Sequence, residues 1–301
     1  YYQGVNIADR VDVAECIHRE ASDGCDCLEI ALEHAAAWYA WQPQVDDEIE
    51  AVLDGYRTGR LFLNTILPQD GKYRILATGL PRAARRRIWA SYENIRLRDL
   101  IASCASECGM QGALYGISDA IRYPYILRKN EGPAAFMNRI LSWEGAAFKA
   151  VSGRFAGISI ADVQGKTAVQ SIELRADQPG ITHVRRDDQK LAGLTLKTPY
   201  AECTAWDDAA GGGAYLTRTD IPAIDDVQAG RWARGMLLAH NQKAESLTIS
   251  GEFHPGLTAM ARIDVISQTS MAGRWIVDAA EHDFIHGKST ATLLRCLESI
   301  R

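Results

Sequence analysis

The chain carries the same order of strand-forming segments near each of its two ends. In each copy, an apolar strand is followed by a loop with a proline, an alternating strand, a segment that starts with Gly-Arg, and a last apolar strand. The first copy comprises residues 28–32, 48–53, 59–63 and 73–76. The second copy comprises residues 247–249, 261–266, 273–277 and 290–294. A chain that builds one β-module twice is pseudo-symmetric, and this predicts a role in assembly before it predicts catalysis.

Composition limits the classes of protein to which the chain can belong. With 301 residues, of which 47% are hydrophobic and 24% are charged, it can form two or three cores of ordinary size. A net charge of −5 argues against a general nucleic-acid binder, which normally carries a basic domain or stripe. The seven cysteines are scattered through the chain, and this odd number predicts synthesis in a reducing compartment rather than a disulfide framework.

The alternation of patterns along the chain predicts an α+β protein that is mainly β. Its two pseudo-symmetric β-barrel domains are separated by an α+β insert. We predict a first barrel over residues 1–81 and an insert of two helices and a hairpin over residues 82–164. A second barrel is predicted over residues 165–301, interrupted by an amphipathic helix at residues 225–242.

Two segments of the insert have helical periodicity. After Asn94, a predicted N-cap, apolar residues follow at i, i+3, i+4 and i+7 spacing until Gly109 ends the pattern. These apolar residues are Leu97, Leu100, Ile101, Cys104, Ala105 and Cys108. A second helix is predicted to begin at Pro133 and to end near Gly145, and a hairpin over residues 148–158 follows it.

Two side-chain clusters each permit two interpretations. Trp38, Tyr39 and Trp41 fit a plug that closes one end of a barrel, and they also fit a platform for a ligand. The second cluster is basic and consists of Arg82, Arg85, Arg86 and Arg87. It fits a solvated linker, and it also fits a docking patch for an acidic partner surface.

Three pairs of residues are candidates for metal binding: Cys25/Cys27, Cys104/Cys108 and His282/His286. A zinc site needs two ligand pairs that converge on one ion. Cys104 and Cys108 fall on the buried stripe of the predicted helix, where a free cysteine packs as a small hydrophobic residue. The two histidines lie in a predicted strand and turn, without the helical spacing of a metalloprotease motif. We therefore predict no metal site.

The chain also lacks the sequence motifs of common enzymes. It has no nucleophile elbow, no phosphate-binding loop and no dinucleotide-binding glycine motif. Its carboxylate pairs are adjacent in sequence, so on a strand they face opposite ways and cannot form the facing pair of a glycoside hydrolase. These pairs are Asp46/Asp47, Asp187/Asp188, Asp207/Asp208 and Asp225/Asp226, and we interpret them as turn and cap residues. We predict no catalytic residue and no cofactor.

One segment of the insert resembles a known family. Residues 135–148, AFMNRILSWEGAAF, resemble the signature AFLxRLAxExGxxF of the phage late control protein D family. The residues that match it one by one are Phe136, Arg139, Ile140, Glu144 and Gly145. That family includes the baseplate hub proteins of contractile-tailed phages, such as the T4-type hub, and it is similar to the N-terminal part of VgrG spike proteins.

Further segments extend the resemblance over nearly the whole chain. Residues 89–97 resemble the W-x-N-x-T-L entry to the first helix of the family, with Arg96 in place of a small polar residue. His282 stands where members often carry V-x-H. The pattern departs at residues 129–132, where the family has an Asp-rich segment. Residues that fit the start and the closing barrel of the family are 4–7, 28–30, 247–251, 255–257 and 275–277.

The resemblance implies a homotrimeric hub in which two barrels per chain form a ring of six. Such a ring matches a sixfold tail tube to a threefold central spike and forms part of the genome-delivery channel. The implied partners are further copies of itself, the tail tube protein, the central spike protein and baseplate wedge proteins, with DNA only in transit and no membrane insertion of its own. The implied location is the tail baseplate of the virion, after assembly in the host cytoplasm. The signature residues, together with Gly59 and Gly273 of the repeat, are then structural.

Three alternatives remain at this point. The chain can be the hub of a tailocin or of an extracellular contractile injection system. It can be a tail-associated cell-wall hydrolase, which needs a convergent acid pair, a Cys/His pair or a metal site. It can also be a carbohydrate-binding β-module, for which Trp38 and Trp41 have to be exposed.

Overall fold

The computed structural model describes residues 1–34, 42–175 and 177–301. The predicted aromatic plug of Trp38, Tyr39 and Trp41 lies outside the described residues. The N-terminal part contains β1 (Val13–Ala21), β2 (Cys27–Leu32), β3 (Glu48–Ile49), β4 (Val52–Leu53), β5 (Tyr56–Arg57), β6 (Leu61–Gln69) and β7 (Lys72–Thr78). The middle part contains β8 (Ile88–Arg96), α1 (Leu97–Ser106), β9 (Gln111–Tyr115), β10 (Arg122–Glu131), α2 (Pro133–Trp143), β11 (Ala146–Val151), β12 (Arg154–Ser159) and α3 (Ile160–Gly165).

The last part is again rich in strands. It contains β13 (Gln170–Glu173), β14 (Ile181–Arg185), β15 (Leu191–Lys197), β16 (Glu202–Trp206), β17 (Ala214–Arg218), α4 (Asp226–Gln242), β18 (Glu245–Glu252), β19 (Arg262–Ile266), β20 (Gly273–Asp283) and β21 (Lys288–Arg295). Short 3-10 helices cover Ala8–Arg10, Arg82–Arg85, Asp187–Gln189 and Asp208–Ala210. Within the described ranges, no helix is both long enough and apolar enough to cross a lipid bilayer.

The predicted repeat is confirmed by the order of the strands. The first barrel has the order β1-β2-β7-β6-β3, and the second has the order β14-β18-β21-β20-β19. Each of the four repeated sequence segments therefore occupies the same place in its own barrel. The two barrels form one continuous sheet because β1 pairs with β20 as well as with β2. The fold is α+β and mainly β, as predicted.

Each barrel has its own hydrophobic core, and a third core lies between them. The first core includes Leu28 and Leu61, and the second includes Ile263 and Trp275. The third core combines residues 84–155 with residues 191–237, so β15, β16 and α4 share a core with the middle of the chain. We call the residues around this third core the insert module. The domain boundaries after residues 81 and 164 stay predictions.

The three helices predicted from periodicity are present. In α1, Leu97, Leu100, Ile101, Cys104 and Ala105 are buried, as the spacing predicted. Helix α2 begins with Pro133, and Gly145 follows its end with a φ of 67°. Asp225 caps α4 because its side chain accepts a hydrogen bond from the backbone N–H of Gln228.

Two local predictions were wrong. Residues 48–53 do not form one strand, because the backbone of Glu50 bonds to Tyr1 and that of Ala51 bonds to Thr58, which separates β3 from β4. Asn94 does not cap α1. It lies in β8 with a φ of 49°, and the helix starts only after Arg96.

Candidate assembly site between the barrels and the insert module

The signature residues of α2 lie at the centre of the insert module. Phe136 and Ile140 are fully buried in its core. Arg139 forms two hydrogen bonds with Glu131, of 2.8 Å from Nε and 2.6 Å from Nη2, and its guanidinium carbon lies 4.9 Å from the ring centroid of Trp143. Arg139 therefore ties α2 to the end of the preceding strand β10.

Glu144, the fourth signature residue, joins three elements. Its carboxylate accepts hydrogen bonds from Arg231 Nε at 2.6 Å, Trp232 Nε1 at 2.6 Å and Tyr123 Oη at 2.8 Å. The side chain of Glu144 is 2% exposed, so the charge of Arg231 and two neutral donors compensate for its removal from water. Burial and the nearby Glu144 raise the pKa of Tyr123 well above its usual value. The carboxylate thus holds α2, α4 and β10 together.

Gly145 allows the end of α2 to touch the backbone of α4. A Cβ at Gly145 would lie 2.7 Å from Gly235 Cα, and a Cβ at Gly235 would lie 2.4 Å from the backbone N of Gly145. The φ of Gly145 is also in the left-handed region. Both glycines are therefore required for this close approach of the two backbones.

We expect Glu144→Gln to lower the free energy of unfolding by about 1.5–3 kcal/mol, because Arg231, Trp232 and Tyr123 would lose a charged acceptor. Urea unfolding followed by tryptophan fluorescence measures this loss. The matched control is Asp99→Asn, which breaks the exposed pair with Arg96 and should leave the urea midpoint nearly unchanged. Equal effects of the two substitutions would contradict the structural role of Glu144.

The two repeat glycines occupy the same strand position but different surroundings. Gly59, before β6, has a φ of 70°, and a Cβ there would lie 2.2 Å from Ser152 Oγ in the β11–β12 turn. Gly273, at the start of β20, has a φ of 134°, and a Cβ there would lie 2.5 Å from Arg295 Nη1. Gly59 therefore places the first barrel against the insert module, whereas Gly273 makes room for a side chain of the second barrel.

A buried polar cluster lies where the two barrels and the insert module meet. We call it the junction cluster; it consists of His18, Glu20, Asp26, Tyr56, Lys149 and His282. Lys149 Nζ lies 3.0 Å from Glu20 Oε2 and 3.1 Å from Asp26 Oδ1. Glu20 also accepts hydrogen bonds from the Tyr56 hydroxyl and, at 2.9 Å, from the backbone N–H of Ala259. One carboxylate on β1 therefore contacts both barrels and the insert module.

The hydrogen bonds of the cluster assign one N–H donor to each of its two histidines. The Tyr56 hydroxyl donates to Glu20, so His18 Nδ1, 2.8 Å from that hydroxyl oxygen, is the donor to it. His282 Nε2 donates to the carbonyl of Leu257 at 3.2 Å. Burial lowers the pKa of His18 to about 4, and it raises the pKa of Asp26 to about 6 although Lys149 opposes that rise.

His18 and Asp26 should have opposite effects on stability in acid. Because its pKa is lowered, His18 contributes to the stability of the folded state above pH 6.5, and this contribution is lost as the pH falls through about 4. Because its pKa is raised, Asp26 contributes to the stability of the folded state below pH 3.8, and this contribution is lost as the pH rises through about 6. We expect Asp26→Asn, which removes the second contribution, to lose more stability than the wild type between pH 7 and 4.5. Urea midpoints at both pH values test this, and parallel losses would contradict it.

The other residues singled out in the sequence do not converge. Among the described residues, no group of three or more His, Cys, Asp or Glu side chains is arranged to hold a metal ion. The seven cysteines are free, and Cys104 and Cys108 are buried as predicted. His286 contacts Asp283 in a turn, whereas His282 belongs to the junction cluster. A mainly apolar cavity of about 270 Å³ opens in the first barrel, between the N-terminal residues and Phe284.

Of the junction cluster, the sequence had singled out only His282 and the segment around Asp26. A signal was nevertheless present in β1, where His18 and Glu20 share the strand face of the buried Cys16. Two ionisable residues on the buried face of a strand indicate polar partners from elsewhere in the fold. Their partners Tyr56 and Lys149 are far away in the sequence and carry no signal of this contact.

Comparison with known proteins finds relatives by structure only. No family model matches the chain, and no curated protein matches it. The 43 kDa tail protein of prophage MuSo2 from Shewanella oneidensis superposes with a TM-score of 0.70 at 12% identity, over 94% of each chain. A tail protein from Neisseria meningitidis MC58 gives 0.71 at 10% identity, over 94% of this chain and 92% of that one. The chain shares the fold of these two tail proteins.

A protein from a secretion system shares this tail protein fold. The E. coli c3393 protein gives a TM-score of 0.59 at 13% identity, over 99% of this chain and 77% of that one. It is described as a component of the type VI secretion system with structural similarity to the T4 tail proteins gp27 and gp5. The fold of the whole chain is therefore similar to that of phage tail proteins and of a component of the type VI secretion system.

Proposed function

We propose that the protein is the structural hub of a contractile phage tail baseplate. Three copies form a ring in which six barrels meet a sixfold tail tube on one side and a threefold central spike on the other. The ring contacts baseplate wedge proteins, and DNA passes through its lumen. It assembles in the host cytoplasm and resides in the virion.

The observation that carries this proposal is the identical strand order of the two barrels. Two similar barrels in each of three chains supply six near-equivalent positions, as a symmetry adaptor requires. A closed ring also covers strand edges that have no partner within the described part of the chain, among them the outer edge of β14. The negative net charge suits a conduit, because many phosphate contacts would hold passing DNA back.

The second candidate is the hub of a tailocin or of an extracellular contractile injection system. The structural likeness to a type VI secretion component supports it, since such machines share the tail protein fold without carrying a genome. For a cell-wall hydrolase the site offers little support. The junction cluster brings together acid–base residues, but His18 and Asp26 are each 1% exposed, so a substrate would not reach them.

The mass of the purified protein in solution tests the proposal. Light scattering coupled to gel filtration should give three times the mass of one chain, alone or after addition of the tube and spike proteins. Electron microscopy of that species should show a ring with six barrels. A protein that stays monomeric even with both neighbours would overturn the proposal, and turnover of peptidoglycan lost on a single carboxylate substitution would favour the enzyme.

A further inference from the structure

An exposed tryptophan surrounded by cations projects from the insert module. Trp89 on β8 is 69% exposed and pairs across the ribbon with Lys129 on β10. We call Trp89, Lys129, Arg85, Arg86 and Arg87 the basic patch. Among the described residues, Arg86, Arg87 and Lys129 have no ion-pair partner, and the side chain of Arg85 bonds only to the neutral Asn64. Unpaired cations around an exposed ring are unusual in a chain with a net charge of −5.

A groove of opposite character opens elsewhere on the insert module. Its volume is about 230 Å³, and its walls include Pro199, Tyr200 and Pro222. Tyr200 is 76% exposed, so the groove presents an open aromatic and proline surface. Asp220 lines it but is already paired with Arg218 at 2.7 Å, whereas Asp225 and Asp226 lie beside it at the start of α4 without a cationic partner among the described residues. We call this surface the proline groove; it is far larger than the space that one water molecule needs.

The basic patch and the proline groove are separate surfaces of one chain. Gly132, at the start of α2, lies against the carbonyl of Ala84 beside the basic patch. The other end of α2 meets α4 at Gly145 and Gly235, and the groove adjoins the start of α4. The 11 residues of α2, about 16 Å long, separate the two ends. Trp89 does not line the groove of its own chain.

We propose that the basic patch of one copy docks into the proline groove of the next copy, with Trp89 between Pro199 and Tyr200. This inference rests on the proposed trimer and names its subunit contact. Two different complementary surfaces give a head-to-tail contact, which closes into a ring. Trp and Arg are the side chains that most often dominate binding energy at such contacts, and proline and tyrosine provide flat surfaces for the indole ring.

Opposite charges around the apolar centre support a second copy as the occupant. The cations of Arg86 and Arg87 would face the carboxylates of Asp225 and Asp226, and this charge complementarity would fix which surfaces meet. One tryptophan covers at most about 250 Å², whereas a stable contact buries about 800 Å² on each partner. Trp89 is therefore the anchor of a larger surface.

Charge reversal tests the contact in the full-length protein. Arg86→Glu with Arg87→Glu, and separately Trp89→Ser, should raise the concentration at which the trimer dissociates by about tenfold or more. Adding Asp226→Lys to the arginine variant should restore much of the trimer. Analytical ultracentrifugation measures the dissociation, and circular dichroism with thermal unfolding checks that each variant is folded.

Two controls separate this contact from general effects. Arg154→Glu with Arg175→Glu changes the net charge equally at exposed positions away from the basic patch, and Tyr215→Ser removes another exposed ring. Both controls should keep the trimer. If the wild type is trimeric and the Arg86/Arg87 and Trp89 variants are equally trimeric, the inference is wrong while the proposed function stands. A wild type that never trimerises overturns both the inference and the proposed function. If the wild type binds duplex DNA and the Arg86/Arg87 variant loses that binding while it stays trimeric, the basic patch is a DNA-binding surface instead.

Discussion

Ile263→Asp is expected to unfold the second barrel and to abolish assembly of the ring. Ile263 on β19 is fully buried in the core of that barrel. The substitution removes a large apolar side chain and forces a carboxylate into a site without polar partners. The expected loss in the free energy of unfolding is about 4 kcal/mol or more, a large part of the stability of an ordinary domain.

The matched control lies three residues away on the same strand. Ile266 is 54% exposed, so Ile266→Asp should change stability by no more than about 0.5 kcal/mol. Ile49→Asp in the core of the first barrel should behave like Ile263→Asp, because Ile49 holds the corresponding place in the repeat. Urea unfolding measures stability and electron microscopy detects the ring. An intact ring in the Ile263→Asp variant would contradict the strand assignment.

Lys149→Met is expected to cost about 3–5 kcal/mol, because it leaves two buried carboxylates without their cation. Lys149 Nζ is within 3.1 Å of both Glu20 and Asp26, and all three side chains are buried. Glu20 and Lys149 stay charged in the folded protein. Burial opposes this in both, but the mutual attraction lowers the pKa of Glu20 and raises the pKa of Lys149. The loss should separate the insert module from the barrels before the barrels unfold.

Two further variants define the cause of that loss. Lys197→Met breaks an exposed pair with Glu202 and should cost no more than about 1 kcal/mol. The triple variant Lys149→Met, Glu20→Gln, Asp26→Asn removes the uncompensated charges and should recover much of the stability. Native-state hydrogen exchange on β11 measures the opening of the junction. A triple variant as unstable as Lys149→Met would point to lost packing rather than lost charge.

The helices were predictable from the sequence because their signals are local. In α1 and α4, an apolar stripe of period 3.6 is fixed by residues within one or two turns, and in α1 the buried residues matched the predicted ones. The start of α1 was misplaced because Asn94 has the chemistry of a cap, whereas pairing of β8 with β10 keeps residues 88–96 extended. The strand partner that decides this lies 26 or more residues further along the chain.

The sequence does not predict which segments of the chain come together in the insert module. No local pattern indicates that Trp232 and Arg231 of α4 bond to Glu144, which lies 88 and 87 residues earlier. The signature residue Glu144 was noticed through a family resemblance, but its role depends on a contact that only the folded chain creates. The close approach of Gly145 and Gly235 is of the same kind, since each glycine alone indicates only a helix end or a weak helix position.

The sequence by itself determined the repeat, the mainly β class and the three long helices, because alternation, helical periodicity and turn residues act within a few neighbours. Only the tertiary structure decided that β1 pairs with β20, that α4 packs with α2, and that Glu20, Lys149 and Asp26 meet at the junction. These contacts join residues far apart in the chain, and their stability comes from the burial of shared surface and paired charge, which no local pattern encodes.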